Sequence, residues 1–276
     1  MSARPAEAAP PIRTRGIVRE NRPEGSYWRL TLSVADFTRF APGQFVMLSP
    51  GAELAAPRTD PLLPRPMAVY RARAAEGAGC EVEVLYKVTG RGTALLSSAR
   101  PPEAVAVVGP LGRGFPLPPP GTRGLVVGGG TGIASLYELA ARASARGDVR
   151  VLLGARSARD LEIARDFAAL PLRLRLATED GSRGRTGLVT ELLAEELATS
   201  DPLLVYACGP TPMMRRAAEM AAAAGQGCLV SLENPMACGF GVCLGCAAPL
   251  REGGFALVCR DGPVFEAARV EWENLA

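Results

Sequence analysis

Gly124-Leu-Val-Val-Gly-Gly-Gly-Thr-Gly-Ile133 decides the fold. Its apolar start reads as a short buried strand, and the glycines that follow open a helix with Ile133, Leu136, Tyr137, Leu139 and Ala140 on one face. N–H groups at such a strand–loop–helix junction, with the helix dipole behind them, can hold a pyrophosphate. The run departs from a clean G-x-G-x-x-G, because Ile133 stands at the third glycine position. On these residues alone a tight turn in a generic α/β domain remains an alternative.

The same alternation continues downstream. Strands read at Val149–Gly154, Leu172–Thr178, Leu203–Ala207 and Cys228–Leu232, with helices near Asp160–Ala168, over Leu188–Leu197 and from Thr211-Pro212, an N-cap and N1 pair. Five strands alternating with four helices predict a parallel sheet covered on both faces. Arg156 and Ser157 follow the second strand where an acidic ribose ligand could stand, so NAD and NADP stay equally open.

Upstream, Pro116–Gly121 reads as a linker. Before it the period is two: Trp28, Leu30, Leu32 and Val34 alternate with Arg29, Thr31 and Ser33, and Glu81–Val88 alternates apart from Leu85. Turn signals at Pro42-Gly43, Pro50-Gly51, Ala55–Pro64, Gly77–Gly79 and Gly109-Pro110 separate such runs, which predicts a small antiparallel barrel or sandwich with almost no helix. Arg65-Pro66-Met67-Ala68 and Gly90-Arg91-Gly92-Thr93 can each present phosphate ligands, including the Thr93 hydroxyl, or can be a surface arginine and a β-turn.

Beyond the sheet region, Cys238-x4-Cys243-x2-Cys246-x12-Cys259 reproduces the plant-type ferredoxin spacing of a [2Fe–2S] cluster. Gly239, Gly241 and Gly245 let backbone N–H groups turn inward, while Phe240, Val242 and Leu244 can face outward as an apolar cover. A four-thiolate zinc site or plain buried thiols are the alternatives; zinc knuckles fit three cysteines in one short loop less well.

Composition bounds the rest. A chain of 276 residues suggests two domains with a small appendage. With 31 basic and 28 acidic side chains the net charge is +3 and no basic block occurs, so nucleic acid is not an expected partner. The 48% apolar content excludes global disorder. No histidine occurs, which rules out Ser-His-Asp triads and HExxH zinc sites. No apolar run approaches the roughly 18 residues of a membrane span, and the start lacks a secretory core, so a cytoplasmic location is expected. Thiols there are more often ligands or catalytic groups than disulfides. Cys80, Cys228, Trp28, Trp272 and the Met213-Met214 pair read as packing.

The expected division is a disordered 1–11, an antiparallel barrel over 12–118, an α/β domain over 119–232 and a cluster domain over 233–276. The Arg65-Pro66 strand, Gly90-Arg91-Gly92-Thr93, Gly128–Ile133 and Tyr206-Ala-Cys-Gly-Pro210 together resemble the ferredoxin–NADP reductase superfamily. Ser231–Cys246 and Val258–Phe265 narrow the likeness to electron-transfer subunits of NAD-dependent dihydroorotate dehydrogenase. The resemblance runs from about Ile12 to Trp272.

That resemblance implies a multidomain relay: an antiparallel β-barrel for FAD, a parallel-sheet α/β domain for NAD, and a small C-terminal [2Fe–2S] domain. Its partner would be an FMN-containing catalytic subunit that oxidises dihydroorotate, in a tetramer of two plus two in pyrimidine biosynthesis. By the same likeness Arg65, Pro66, Met67, Ala68, Leu85, Tyr86 and Lys87 would line the flavin, and Gly92 and Thr93 would meet its pyrophosphate. Gly130, Thr131 and Gly132 would face the nicotinamide cofactor, with Cys208 as the catalytic thiol and Gly209 near its ring. The Thr178–Ser182 loop is placed on the same cleft. Cys238, Cys243, Cys246 and Cys259 would hold the iron. The family usually carries Ser where Ala68 stands, so flavin tuning is expected to differ. A hydrogenase, sulfite reductase or transhydrogenase-like partner is the alternative within the class. A zinc-stabilised or redox-sensing binding protein is the alternative outside it.

Overall fold

The first strand, β1 (Ile12–Glu24), turns at Gly25 into β2 (Tyr27–Val34), and their antiparallel ladder runs from Gly16↔Val34 to Glu24↔Tyr27. The computed structural model describes residues 10–37, 39–50, 63–74, 79–199 and 201–275. Most of the expected disordered N-terminus and of the Ala55–Pro64 insertion lies outside them, as do Gly51 and Gly77 of the expected turns.

β3 (Phe45–Pro50), β4 (Arg65–Ala68), β5 (Arg71–Ala74), β6 (Cys80–Tyr86) and β7 (Ala104–Leu111) complete one antiparallel sheet in the order β4-β3-β7-β1-β2-β6-β5. Its two edge strands are consecutive in the chain. Val69 and Tyr70 close the gap between them: the Val69 N–H donates to Gln44 O and the Tyr70 N–H to Glu83 O. Closure of this kind removes the exposed edge that an open sheet would present.

A helix, α1 (Arg91–Ser98), follows β6 where the sequence reading expected a turn. Its start is made locally. The Thr93 hydroxyl accepts from the N–H groups of Thr89 and Gly90 and donates to the Gly90 carbonyl. A hydroxyl supplying the backbone in this way is an N-terminal helix device, and Gly-x-Gly-Thr carries it without any apolar periodicity.

The second sheet is built from β8 (Arg123–Gly129), β9 (Val149–Ala155), β10 (Arg173–Thr178), β11 (Arg185–Thr186), β12 (Leu203–Cys208) and β13 (Gly227–Ser231), all parallel. The order is β11-β10-β9-β8-β12-β13-β16, where β16 (Val264–Glu266) pairs antiparallel with β13. The region after residue 232 therefore contributes a strand to the α/β sheet. It also forms a small hairpin of β14 (Ala247–Pro249) and β15 (Phe255–Leu257).

The helices are α2 (Tyr137–Ser144), α3 (Ala164–Ala168), α4 (Val189–Leu197) and α5 (Thr211–Ala223). Two sequence expectations are corrected here. Gly130–Leu136 is a 3-10 segment that becomes α-helical only at Tyr137, because the turn must stay tight where it passes Cys208. The cap of α5 is Pro210 and not Thr211, and Pro212 still lies in the first turn, where its missing N–H costs nothing. The chain order reverses between β8 and β12, and in such sheets the crevice at the carboxyl ends of the strands is where ligands bind.

Candidate functional site

At that crevice Gly132 packs directly on β12. A Cβ on Gly132 would stand 2.5 Å from the carbonyl carbon of Cys208 and the nitrogen of Gly209, so only glycine lets the loop pass. Gly130 takes a left-handed φ of 54°. The sequence-predicted residues Gly130, Thr131, Gly132, Cys208 and Gly209 are thus gathered at one point.

Two cavities meet there. One, of about 440 Å³, is walled by Arg65, Pro66, Met67 and Ala68 of β4, by Leu85, Tyr86 and Lys87, and by Thr93, Thr131 and Ser135. Its remaining wall is the segment Ser231–Met236. The other, of about 790 Å³, is a cleft lined by Gly129, Gly130, Thr131, Arg156, Asp160, Glu179 and Met213. Both volumes suit cofactor-sized ligands. Lys87, Thr89 and Thr131 line both. A larger groove of about 940 Å³ between α5, β16 and the Pro116 region carries mixed charges and none of the predicted site residues.

Gly92 lies against the predicted anion ligand: a Cβ there would come within 2.9 Å of the Arg65 guanidinium. Thr93 lines the smaller cavity, and its hydroxyl donates to Gly90 O. Cys208 is fully buried and lines neither cavity; its thiol donates to Ser231 O at 3.4 Å. Burial, then the negative charge of Glu233, push this thiol up to about 12.

Glu233 was not legible as a site residue, although it falls within the quoted Ser231–Cys246 run. Glu233 lines the smaller cavity and keeps an exposed face to solvent, with neighbouring protein crowding the rest of its side chain. That crowding raises its pKa, and a hydrogen bond from Thr131 partly offsets the rise. Asn234 beside it donates from Nδ2 to Ala247 O, and its Oδ1 is buried without a partner.

The cysteine loop is shaped by left-handed backbone. Gly239, Gly241 and the non-glycine Leu244 have φ of 85°, 87° and 61°. A Cβ on Gly239 would stand 2.6 Å from the Met47 side chain. A Cβ on Gly245 would meet the Cys243 sulfur at 3.7 Å, the nearest protein atom to it beyond its chain neighbours. Burial works against ionisation of Cys238, yet N–H groups of Cys243, Phe240 and Val242 hold the thiol down to about 6. Such a cradle of N–H groups suits thiolates and sulfides.

The thiols stand in pairs. Cys246 and Cys259 sulfurs are 3.1 Å apart, and Cys238 and Cys243 are hydrogen-bonded to one another. Among the described residues no three His, Cys, Asp or Glu side chains converge on one point. Two thiolate pairs suit a two-iron cluster, in which each iron takes two, better than one tetrahedral ion. Phe240, Val242 and Leu244 are 54%, 73% and 63% exposed, as the outward cover requires, and Cys243 is exposed among them.

A buried ion network locks the barrel to the α/β unit beside these cavities. Arg29 of β2, with only 3% of its side chain exposed, pairs with Glu24, Glu83 and, across the interface, Asp166 of α3. Tyr70 also donates to Asp166, at 2.8 Å. Lys87 pairs with Asp160 at 2.8 Å and lies over the Tyr27 ring. Alternation alone would have turned Arg29 to solvent; the carboxylates facing it explain why it is buried.

Residues 233–271 match the iron-sulfur cluster binding domain of dihydroorotate dehydrogenase B, and residues 126–219 match the oxidoreductase NAD-binding domain. The electron transfer subunit of dihydroorotate dehydrogenase B (NAD(+)) from Bacillus caldolyticus is 40% identical over 234 residues, covering 83% of this chain and 86% of that one. The chain belongs to this family of electron-transfer subunits. A homologue from Aquifex aeolicus is 37% identical over 89% of this chain and 93% of its own. Among solved structures, an NADH-dependent reduced ferredoxin-NADP oxidoreductase superposes with a TM-score of 0.80 at 26% identity, over 94% of this chain and 91% of that one. The ferredoxin reductase of carbazole 1,9a-dioxygenase, with a TM-score of 0.66 at 22% identity over 80% of this chain and 68% of that one, shares the fold.

Family membership makes the chain an oxidoreductase subunit that works with a catalytic partner. Among the described residues no helix is long and apolar enough to cross a membrane.

Proposed function

We propose that this family member takes electrons at its cysteine loop from a flavin-bearing, dihydroorotate-oxidising subunit and delivers them to NAD+ in the cytoplasm. One observation carries the reading. The Ser231–Met236 segment walls the smaller cavity and reaches Cys238 two residues later, while Thr131 is shared between that cavity and the cleft. On this reading cluster, flavin and dinucleotide would be contiguous.

Cys238 with Cys243, and Cys246 with Cys259, would each hold one iron. Arg65 to Ala68, Leu85, Tyr86 and Lys87 would wall FAD, with Gly92 and Thr93 at its pyrophosphate. The orphaned Asn234 Oδ1 marks a polar wall beside that cavity, in keeping with a polar cofactor. Gly130, Thr131 and Gly132 would meet NAD, with Gly209 and Cys208 packed behind them. When bound, FAD exchanges a hydride with the nicotinamide and single electrons with the cluster. The chain's side chains set distance and orientation and keep water out. Residues 12–118, 119–232 and 233–276 are assigned to flavin, dinucleotide and cluster in turn.

The docking face is the apolar collar of Phe240, Val242 and Leu244 around Cys243, and its occupant is the catalytic subunit. An exposed apolar patch around an electron-transfer ligand both excludes water and permits the close approach that electron transfer needs. Two of each subunit form the assembly.

The test is to assay the purified, cofactor-loaded chain with and without its partner. It should oxidise NADH with a dye acceptor but leave dihydroorotate untouched, and it should form NADH from dihydroorotate only once the partner is added. Orotate made by the isolated chain would refute the reading.

A further inference from the structure

Tyr27 lies in the barrel, lines neither cavity and is 1% exposed, yet its hydroxyl donates to the carbonyl oxygen of Gly130 at 3.0 Å. Gly130 belongs to the other unit and sits in the glycine loop at the cleft. A trans peptide is planar, so its C=O and the N–H of the next residue point in opposite directions. With the Gly130 oxygen drawn back into the barrel, the N–H of Thr131 is aimed the other way, toward the side on which Thr131 lines the cleft.

We infer that Tyr27 is a positioning residue for the dinucleotide: its hydroxyl sets the orientation of the Gly130–Thr131 peptide so that a donor, and not an acceptor, faces the bound anion. The inference rests on the assignment of this loop to NAD. Gly130 makes such a device necessary. A glycine at a φ of 54° has little steric preference between the two peptide orientations, and it stands at the first position of the 3-10 segment, where the Tyr27 hydroxyl is the side chain that fixes the carbonyl. The flipped peptide would turn a carbonyl oxygen on the pyrophosphate, replacing an attraction by a repulsion.

The surroundings hold Tyr27 itself in place. Lys87 lies 4.8 Å from its ring centroid and is paired with Asp160, a residue that also lines the cleft. The neighbouring Ser26 N–H donates to Arg159 O at 3.2 Å. With Gly25 O accepting from Arg159 Nε at 3.4 Å, the β1–β2 turn reaches across to the dinucleotide unit at three consecutive residues, and the flavin-bearing barrel dictates the shape of the NAD loop. Neither a glycine motif nor strand alternation discloses this, because the donor is 103 residues from its acceptor.

The test is Tyr27→Phe in the cofactor-loaded complex, which keeps the ring under Lys87 and removes only the hydroxyl. The dissociation constant for NADH should rise about tenfold, the factor that one hydrogen bond to a charged group carries. KM for NAD+ should rise with it, while kcat at saturation and the flavin and iron content hold. An unchanged dissociation constant, or a loss confined to kcat, overturns the inference. Should the variant lose flavin, the wild-type complex decides: NADH must slow hydrogen exchange at the Thr131 amide, and an unprotected Thr131 amide in the NADH-bound enzyme overturns it. A wild-type complex that binds no NADH would instead refute the assignment of the loop.

Discussion

Asn234 donates from Nδ2 to the carbonyl oxygen of Ala247 at 3.1 Å, so a residue walling the flavin-side cavity is tied to the residue after Cys246. The tie leaves Asn234 Oδ1 buried and unpartnered. Asn234→Ala removes a bond worth about 1 kcal/mol together with an orphan acceptor whose burial costs a similar amount, so stability should change by less than about 1 kcal/mol. Electron exchange between flavin and cluster should slow all the same. Stopped-flow absorbance after NADH addition, separating flavin from cluster bleaching, checks this; an unchanged interval between the two phases would reduce the tie to packing.

The Arg29 network predicts acid sensitivity. Burial opposes ionisation of Asp166, but the Arg29 guanidinium and the Tyr70 hydroxyl more than offset it and hold the carboxyl below its ordinary 3.8. An acid with a lowered folded pKa stabilises fully above its unfolded value, and the contribution fades as pH falls through the folded one. Asp166→Asn should cost up to about 3 kcal/mol at neutral pH, since Arg29 keeps Glu24 and Glu83. The gap between variant and wild type should narrow below pH 4. Denaturant titrations at several pH values measure it.

Glu233 runs the other way. Its folded pKa is raised by burial, so the unfolded chain loses its proton first and stability falls as pH climbs from 4.5 through the folded value. Because Glu233 is exposed, solvent screens this effect, and Glu233→Gln should be at least as stable as wild type at neutral pH while oxidising NADH more slowly. The pH profile of flavin reduction by NADH should lose a limb in the variant. Identical profiles in the two proteins would remove Glu233 from the site.

Cys208 contacts neither cavity, and its thiol stays protonated at neutral pH, so it serves by shape. Cys208→Ala should slow hydride transfer by loosening the packing behind Gly132 and leave flavin content intact. Equal rates of flavin reduction in single-turnover experiments would leave the thiol no role beyond core filling.

What the sequence could disclose depended on whether the signal was local. The four cysteines and Gly239 and Gly241 lie within one short stretch, and their spacing already carried the two-iron chemistry. The Gly128–Gly132 loop announced itself because strand, glycines and helix are contiguous. Arg29 failed as a reading since its period-two position says nothing about Glu83 and Asp166, carboxylates brought to it from distant segments to join nearby Glu24. α1 escaped because its start rests on one threonine hydroxyl and not on apolar periodicity. Tyr27 and Glu233 act on partners in other elements, and only the folded chain brings those partners near.

The relay is tested most directly by Cys259→Ser in the assembled, cofactor-loaded complex. With the second thiolate pair broken, NADH formation from dihydroorotate should fall to background, while NADH-driven reduction of a dye through the flavin persists. Undiminished NADH formation from dihydroorotate in a complex shown to lack the cluster would contradict the account, because electrons would then reach NAD+ by a path that bypasses the cysteine loop.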